Sequence, residues 1–188
     1  MESEAARNSA SEESVSPFAR KCLQRIALPK KARILDLPCG FGRHSVWLAQ
    51  MGHSITAVDI DAARVVATRK AVGALSGAHS VRCMEADAEE PLPLRANSFD
   101  LAIVVHFYAP SIFEAVARVL RPGGHLIFET FGAQGYNWRS LPETGLVAGL
   151  LRPSFVTLEI RERLCGPKKA QAVVHALARR RARSDNRA

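Results

Sequence analysis

The sequence predicts an α/β protein built on one mostly parallel sheet. Three observations carry that reading. Strand-like and helical apolar patterns alternate from residue 32 to residue 131, and such alternation builds a parallel sheet with helices on both faces. The last two strand-like segments, 154–164 and 169–180, are separated only by a short turn at Gly166-Pro167. A link that short joins antiparallel strands, so one edge should hold an antiparallel strand. Finally, 188 residues suit a single domain with a full core, needing no disulfide or metal staple.

Each element follows from its own pattern. Residues 1–16 (MESEAARNSASEESVS) are small, polar and acidic, a composition that predicts disorder. Pro17 opens a helix over PFARKCLQRIAL, with Phe18, Cys22 and Ile26 on one face and Pro29 as its stop. ARILDL (32–37) is a short apolar strand, RHSVWLAQMG (43–52) a helix stopped by Gly52, and SITAVDI (54–60) a strand. Asp61 is the N-cap of a helix over 61–75. A strand over 79–87 precedes an acidic, proline-containing loop. FDLAIVVHF (99–107) is the longest apolar run and predicts a buried central strand. A helix over 111–120 ends at the turn Arg121-Pro122-Gly123-Gly124, and HLIFETF (125–131) returns as a strand. A loop then leads to a helix near 143–151 and to the closing strand pair, so the folded domain is expected over 17–180 with a basic tail at 181–188.

Composition excludes several function classes. Hydrophobic residues make up 47% and charged residues 23%, ordinary for a globular protein. No apolar run reaches the length of a membrane span, and the start lacks the apolar core of a secretory signal. Cys22, Cys39, Cys83 and Cys165 stand singly, so no zinc site is expected and a reducing, cytoplasmic setting is. The net charge of +8 is uneven: Glu2, Glu4, Glu12 and Glu13 outweigh Arg7 at the start, and five arginines outweigh Asp185 at the end. A basic surface either solubilises the protein or attracts nucleic acid or anionic substrates.

The chemistry gathers at strand ends. The first strand runs into LDLPCGFGRHS (35–45), with Asp36 near its carboxyl end, where open parallel sheets bind ligands. Gly40 and Gly42 remove side chains where backbone turns and approaches a ligand. Asp59 ends the second strand 19 residues after Gly40, close to the spacing of about 20 in nucleoside-binding units, and a carboxylate there accepts from ribose hydroxyls. Asp87, after the third strand, can accept from an exocyclic amine. A dinucleotide-dependent oxidoreductase fits less well, because Ser45 stands where its fingerprint needs a third small residue, with Arg43 and His44 crowding the helix start.

ILDLPCGFGRHS, AVDID, MEADAEE, FDLAIVVHF and LRPGGHLIFETF together resemble the class I S-adenosylmethionine-dependent methyltransferases over residues 33–131. The Pro-Cys-Gly-x-Gly-Arg-His form is most similar to small bacterial tellurite-resistance-type and small-molecule methyltransferases. The resemblance implies a Rossmann-like seven-stranded sheet in the order 3-2-1-4-5-7-6 with strand seven antiparallel. It implies S-adenosylmethionine as cofactor, held by the loop residues Asp36, Pro38, Cys39, Gly40, Gly42 and Arg43. Asp59 and Ile60 would follow on the second strand, Asp87 and Ala88 after the third, and Val105 and His106 at the fourth. One departure stands out: Pro38 replaces the family's first glycine and brings no N–H donor.

The reaction implied is methyl transfer to a small molecule, through oxygen, nitrogen, sulfur or a metalloid. His106 is either a general base or a residue bordering the cofactor, and Tyr108 and Glu129 are candidates for the substrate pocket. Glu129 reads equally as a structural partner for a basic neighbour such as Arg139. Gly135-Tyr136-Asn137-Trp138-Arg139 reads equally as a lid or as an anchored loop. The alternative is a cofactor-binding, nucleic-acid-associated module, like an RNA methyltransferase, that uses the basic surface and tail. A monomer and a homodimer are both compatible with the pattern.

Overall fold

A computed structural model describes residues 15–75, 80–130 and 140–182. Most of both expected tails and the segment Gly135 to Arg139 lie outside these residues. The domain begins slightly earlier than its sequence suggests. Val15 and Ser16, assigned to the polar leader, are buried.

The strands are β1 (Arg33–Asp36), β2 (Ser54–Asp59), β3 (Val81–Glu85), β4 (Phe99–Val105), β5 (Leu120–Glu129), β6 (Phe155–Cys165) and β7 (Gln171–Arg180). They form one sheet in the order β3-β2-β1-β4-β5-β7-β6. β1 to β5 pair in parallel, and β7 runs antiparallel to both β5 and β6. All seven residues of β4 are buried, as its unbroken apolar run requires.

The helices are α1 (Pro17–Leu23), α2 (Arg43–Gln50), α3 (Ala62–Gly73), α4 (Ile112–Val119) and α5 (Leu146–Leu151). Alternation along the strands splits the core into two layers. Ile34, Leu101, Ile103, Ile127 and Leu177 pack with Phe18, Ala19 and Cys22 of α1 and Leu48 and Ala49 of α2. On the other face Leu35, Ala102, Val104 and Phe128 pack with Phe113 and Val116 of α4 and Val147 and Leu151 of α5.

Three boundaries differ from expectation. α1 stops at Leu23, capped by Gln24, rather than continuing to Leu28. Ile26 and Leu28 still pack against the core, from irregular backbone. Arg121-Pro122-Gly123-Gly124 is no separate turn: β5 begins at Leu120, and the register with β4 shifts between Phe99 and Leu101. The bulge absorbs what the glycine pair suggested was a break. The link between β6 and β7 is longer than Gly166-Pro167, because a short 3-10 turn at Pro167–Lys169 delays β7 to Gln171.

Candidate functional site

The carboxyl ends of β1 and β2 are tied together by backbone. Cys39 N donates to Val58 O at 2.8 Å, and Gly40 N donates to Asp59 Oδ2 at 2.8 Å. The other Asp59 oxygen, Oδ1, accepts from Asp61 N at 3.0 Å. Asp59 is thus buried and fixed by two amides, yet each oxygen keeps a further acceptor direction. The Leu37-Pro38 bond preceding this turn is cis.

The two loop glycines serve different purposes. Gly40 has φ +55°, and nothing lies within 4 Å of where a Cβ would stand, so its backbone faces open space. Gly42, with φ +85°, sits against α3: a Cβ there would lie 2.8 Å from Thr68 Cγ2 and 3.1 Å from Thr68 Cα. Thr68 also donates its hydroxyl to Gly40 O at 2.9 Å. One glycine leaves a cradle open; the other lets α3 buttress it.

Asp36 lies beneath the loop, 1% exposed, and accepts from Ser45 Oγ at 2.6 Å. Burial raises its pKa to about 7, with Ser45 and Arg43 pulling the other way and the neighbouring Asp59 charge adding to the rise. Cys39 is buried beside Thr68, and burial pushes its thiol up to about 12. Burial thus keeps Cys39 in its protonated, weakly nucleophilic thiol form at neutral pH.

A second cluster forms where β4 and β5 end. His106 follows β4 with φ +61°, and its N donates to Glu129 O at 2.7 Å. Its Nδ1 lies 3.1 Å from an Arg43 guanidinium nitrogen. Arginine can only donate, so Nδ1 accepts and the neutral ring carries its proton on Nε2. Nε2 lies 3.7 Å from Glu129 Oε1. Ser16 Oγ donates to Glu129 Oε2 at 2.5 Å and accepts from Ala19 N at 3.1 Å, capping α1. Burial raises the Glu129 pKa, but the His106 and Ser16 hydrogen bonds outweigh it and leave it below the ordinary value. His44 accepts from Ser16 N at 3.3 Å. Burial first, and Arg43 second, lower its pKa to about 3, so the ring stays neutral.

A cavity of about 330 Å³ opens beside this cluster, lined by His106, Glu129 and residues of β6 and β7 including His175 and Arg163. His106 and Glu129 thus meet as expected, but Tyr108 is not among the lining residues. It is half-buried against the core that α4 covers. Burial, then Glu143, raises its phenol pKa. The other expected residues sit at the strand ends. Val105 is buried against the α1–α2 layer, Ala88 is buried on the opposite layer, and Ile60 is 61% exposed. Asp87 spends one oxygen on Glu89 N at 2.9 Å. Glu129 accepts from Ser16 and faces His106 at 3.7 Å; its suggested partner Arg139 lies outside the described residues. Sequence reasoning missed Ser16, Ser45 and Thr68. Only Ser16 had a signal, a serine immediately before a proline at the first helical position.

A family model described as a methyltransferase domain matches residues 35–128, half of the chain. The chain belongs to the class I S-adenosylmethionine-dependent methyltransferases. An uncharacterized methyltransferase of Synechocystis is 30% identical over 141 residues, covering 71% of this chain and 62% of its own. A ubiquinone biosynthesis O-methyltransferase of Cronobacter sakazakii is 27% identical over 111 residues, 56% of this chain and 45% of its own. The chain therefore spans about half the length of the curated relatives it matches. Among solved structures, a methyltransferase of Methanosarcina mazei superposes with a TM-score of 0.67 at 20% identity, covering 89% of this chain and 99% of that one. The methyltransferase family brings S-adenosylmethionine as its cofactor. The nucleic-acid alternative gains no support from these relatives. No helix among the described residues is long and apolar enough to cross a membrane.

Proposed function

We propose that this protein transfers a methyl group from S-adenosylmethionine to a small-molecule acceptor, with the cofactor lying across the carboxyl ends of β1, β2 and β4. The observation that carries this reading is the open space over Gly40, flanked in sequence and structure by the buried carboxylates Asp36 and Asp59. A cofactor with hydroxyls, an amine and an ammonium suits that set of acceptors. The remaining acceptor sites of Asp59 take ribose hydroxyls. The second oxygen of Asp87 takes the adenine amine, with Ile60 and Ala88 supplying apolar surface. Asp36, desolvated and raised to about 7, gains most from a neighbouring ammonium. Pro38, Cys39 and Gly42 shape the loop backbone, and Arg43 and Val105 border the methionine end.

When bound, S-adenosylmethionine supplies an activated methyl: an acceptor lone pair takes that carbon while the carbon–sulfur bonding pair returns to sulfur. The chain's contribution is positioning. Arg43 fills the His106 Nδ1 lone pair and Glu129 faces Nε2, so the ring is oriented and has no unoccupied basic nitrogen in this arrangement. Oxygen acceptors are the first to try, since relatives are named as O-methyltransferases: a carboxylate is already ionised at neutral pH, and a phenol gives its proton to solvent water, so neither requires a base from the chain. The test is transfer of isotopically labelled methyl from the cofactor across a panel of small acceptors. Label on one acceptor, absent for Gly40→Asn, is the expected result; a protein that binds the cofactor yet labels none of oxygen, nitrogen, sulfur and metalloid acceptors contradicts it.

A further inference from the structure

The cavity beyond His106 has an electrostatic imbalance that cofactor binding does not use. Its walls carry Glu129, Glu162, Arg161 and Arg163. Three of these charges are already answered. Glu129 receives Ser16 and faces His106. Glu162 receives Gly145 N at 3.1 Å. Arg161 pairs with Glu159 at 2.7 Å. Arg163 alone has no hydrogen bond or ion pair among the described residues. Across the β6–β7 register it faces apolar Val173, and the next row sets Arg161 opposite His175, which in turn lies opposite Glu129 of β5. The cavity therefore has a polar inner end at His106, an apolar side at Val173 and one unanswered guanidinium at its outer strand.

We propose that this cavity is the acceptor subsite for small carboxylates, with Arg163 as the counter-ion that selects them. This rests on the methyl-transfer reading above. One unpaired guanidinium matches one negative charge, and its fork matches a carboxylate's two oxygens. A phosphate dianion would leave a charge unanswered next to Glu129 and Glu162. About 330 Å³ is at the small end of ligand pockets, which limits the acceptor to a short-chain acid or a single-ring acid. Bound at Arg163, such an acid extends along Val173 and presents its far end towards His106, the end next to the proposed cofactor site.

The test is calorimetric binding to protein saturated with S-adenosylhomocysteine, using matched acid and amide pairs: acetate and acetamide, benzoate and benzamide, 4-hydroxybenzoate and its amide. At least one acid should bind about tenfold or more tighter than its amide. Arg163→Gln should erase that preference and Arg163→Lys retain part of it, both without changing affinity for S-adenosylhomocysteine. Arg163 is exposed on an edge strand, so folding tolerates both changes. Equal binding of acids and amides, a preference that survives Arg163→Gln, or tighter binding of inorganic phosphate each overturns the proposal. Failure to bind S-adenosylhomocysteine is a different result, and it overturns the cofactor reading instead.

Discussion

His106 has both ring nitrogens directed at partners, Arg43 on one side and Glu129 on the other. A general base needs a lone pair aimed at the substrate. His106→Asn, which suits the positive φ of this position, should therefore lower turnover by less than about tenfold. A true base would cost about a hundredfold or more, so steady-state kinetics separate the two. Asp36 gives a second prediction at this scale. Its folded pKa, raised to about 7 from 3.8, means the cofactor-free protein holds a proton there that the unfolded chain has lost above pH 3.8. The stability this contributes is complete below the unfolded value and is lost as pH rises through the folded one. A bound ammonium favours the ionised form, so cofactor affinity should rise with pH through about 7 and binding should release a proton. Calorimetry in buffers of different ionisation enthalpy reads that proton, and Asp36→Asn should abolish it.

Helix α1 shows how an element can be legible while its role is not. Pro17 and the spacing of Phe18 and Cys22 mark a helix, and it forms. Ser16 looks like the last residue of a polar leader, because composition is a local average and a cap is a single atom's contact. In the fold that hydroxyl caps α1 and holds Glu129, more than a hundred residues away in sequence, and no local pattern encodes such a partner. Ser16→Ala should cost about 2 kcal/mol in denaturant unfolding, combining a lost cap with a lost hydrogen bond to a charged group. Ser16→Thr should recover most of it. The glycine loop divides the same way. Its position after β1 is readable, whereas the need for glycine at residue 42 comes from Thr68 on another helix.

Across the whole molecule, alternation predicted a mostly parallel sheet with one antiparallel strand, the family resemblance implied the order of its strands, and the sheet realises both. Being just past a strand end does not determine which face a side chain takes: Tyr108 packs towards the α4 layer, whereas His106 and Glu129 line the cavity. The same sheet explains why the cofactor and acceptor readings converge. β1 and β2 end at the Gly40 cradle, β4 ends at His106, and β6 and β7 wall the cavity beyond it. The most direct measurement of this account is a calorimetric titration of S-adenosylhomocysteine into wild type and Gly40→Asn, with thermal melts of both. Asparagine tolerates the left-handed backbone at this residue, so the variant should stay folded while its side chain fills the open cradle. The account predicts one-to-one binding to wild type and a loss of about thirtyfold or more in the variant, roughly 2 kcal/mol. A folded variant that binds as tightly as wild type would contradict it.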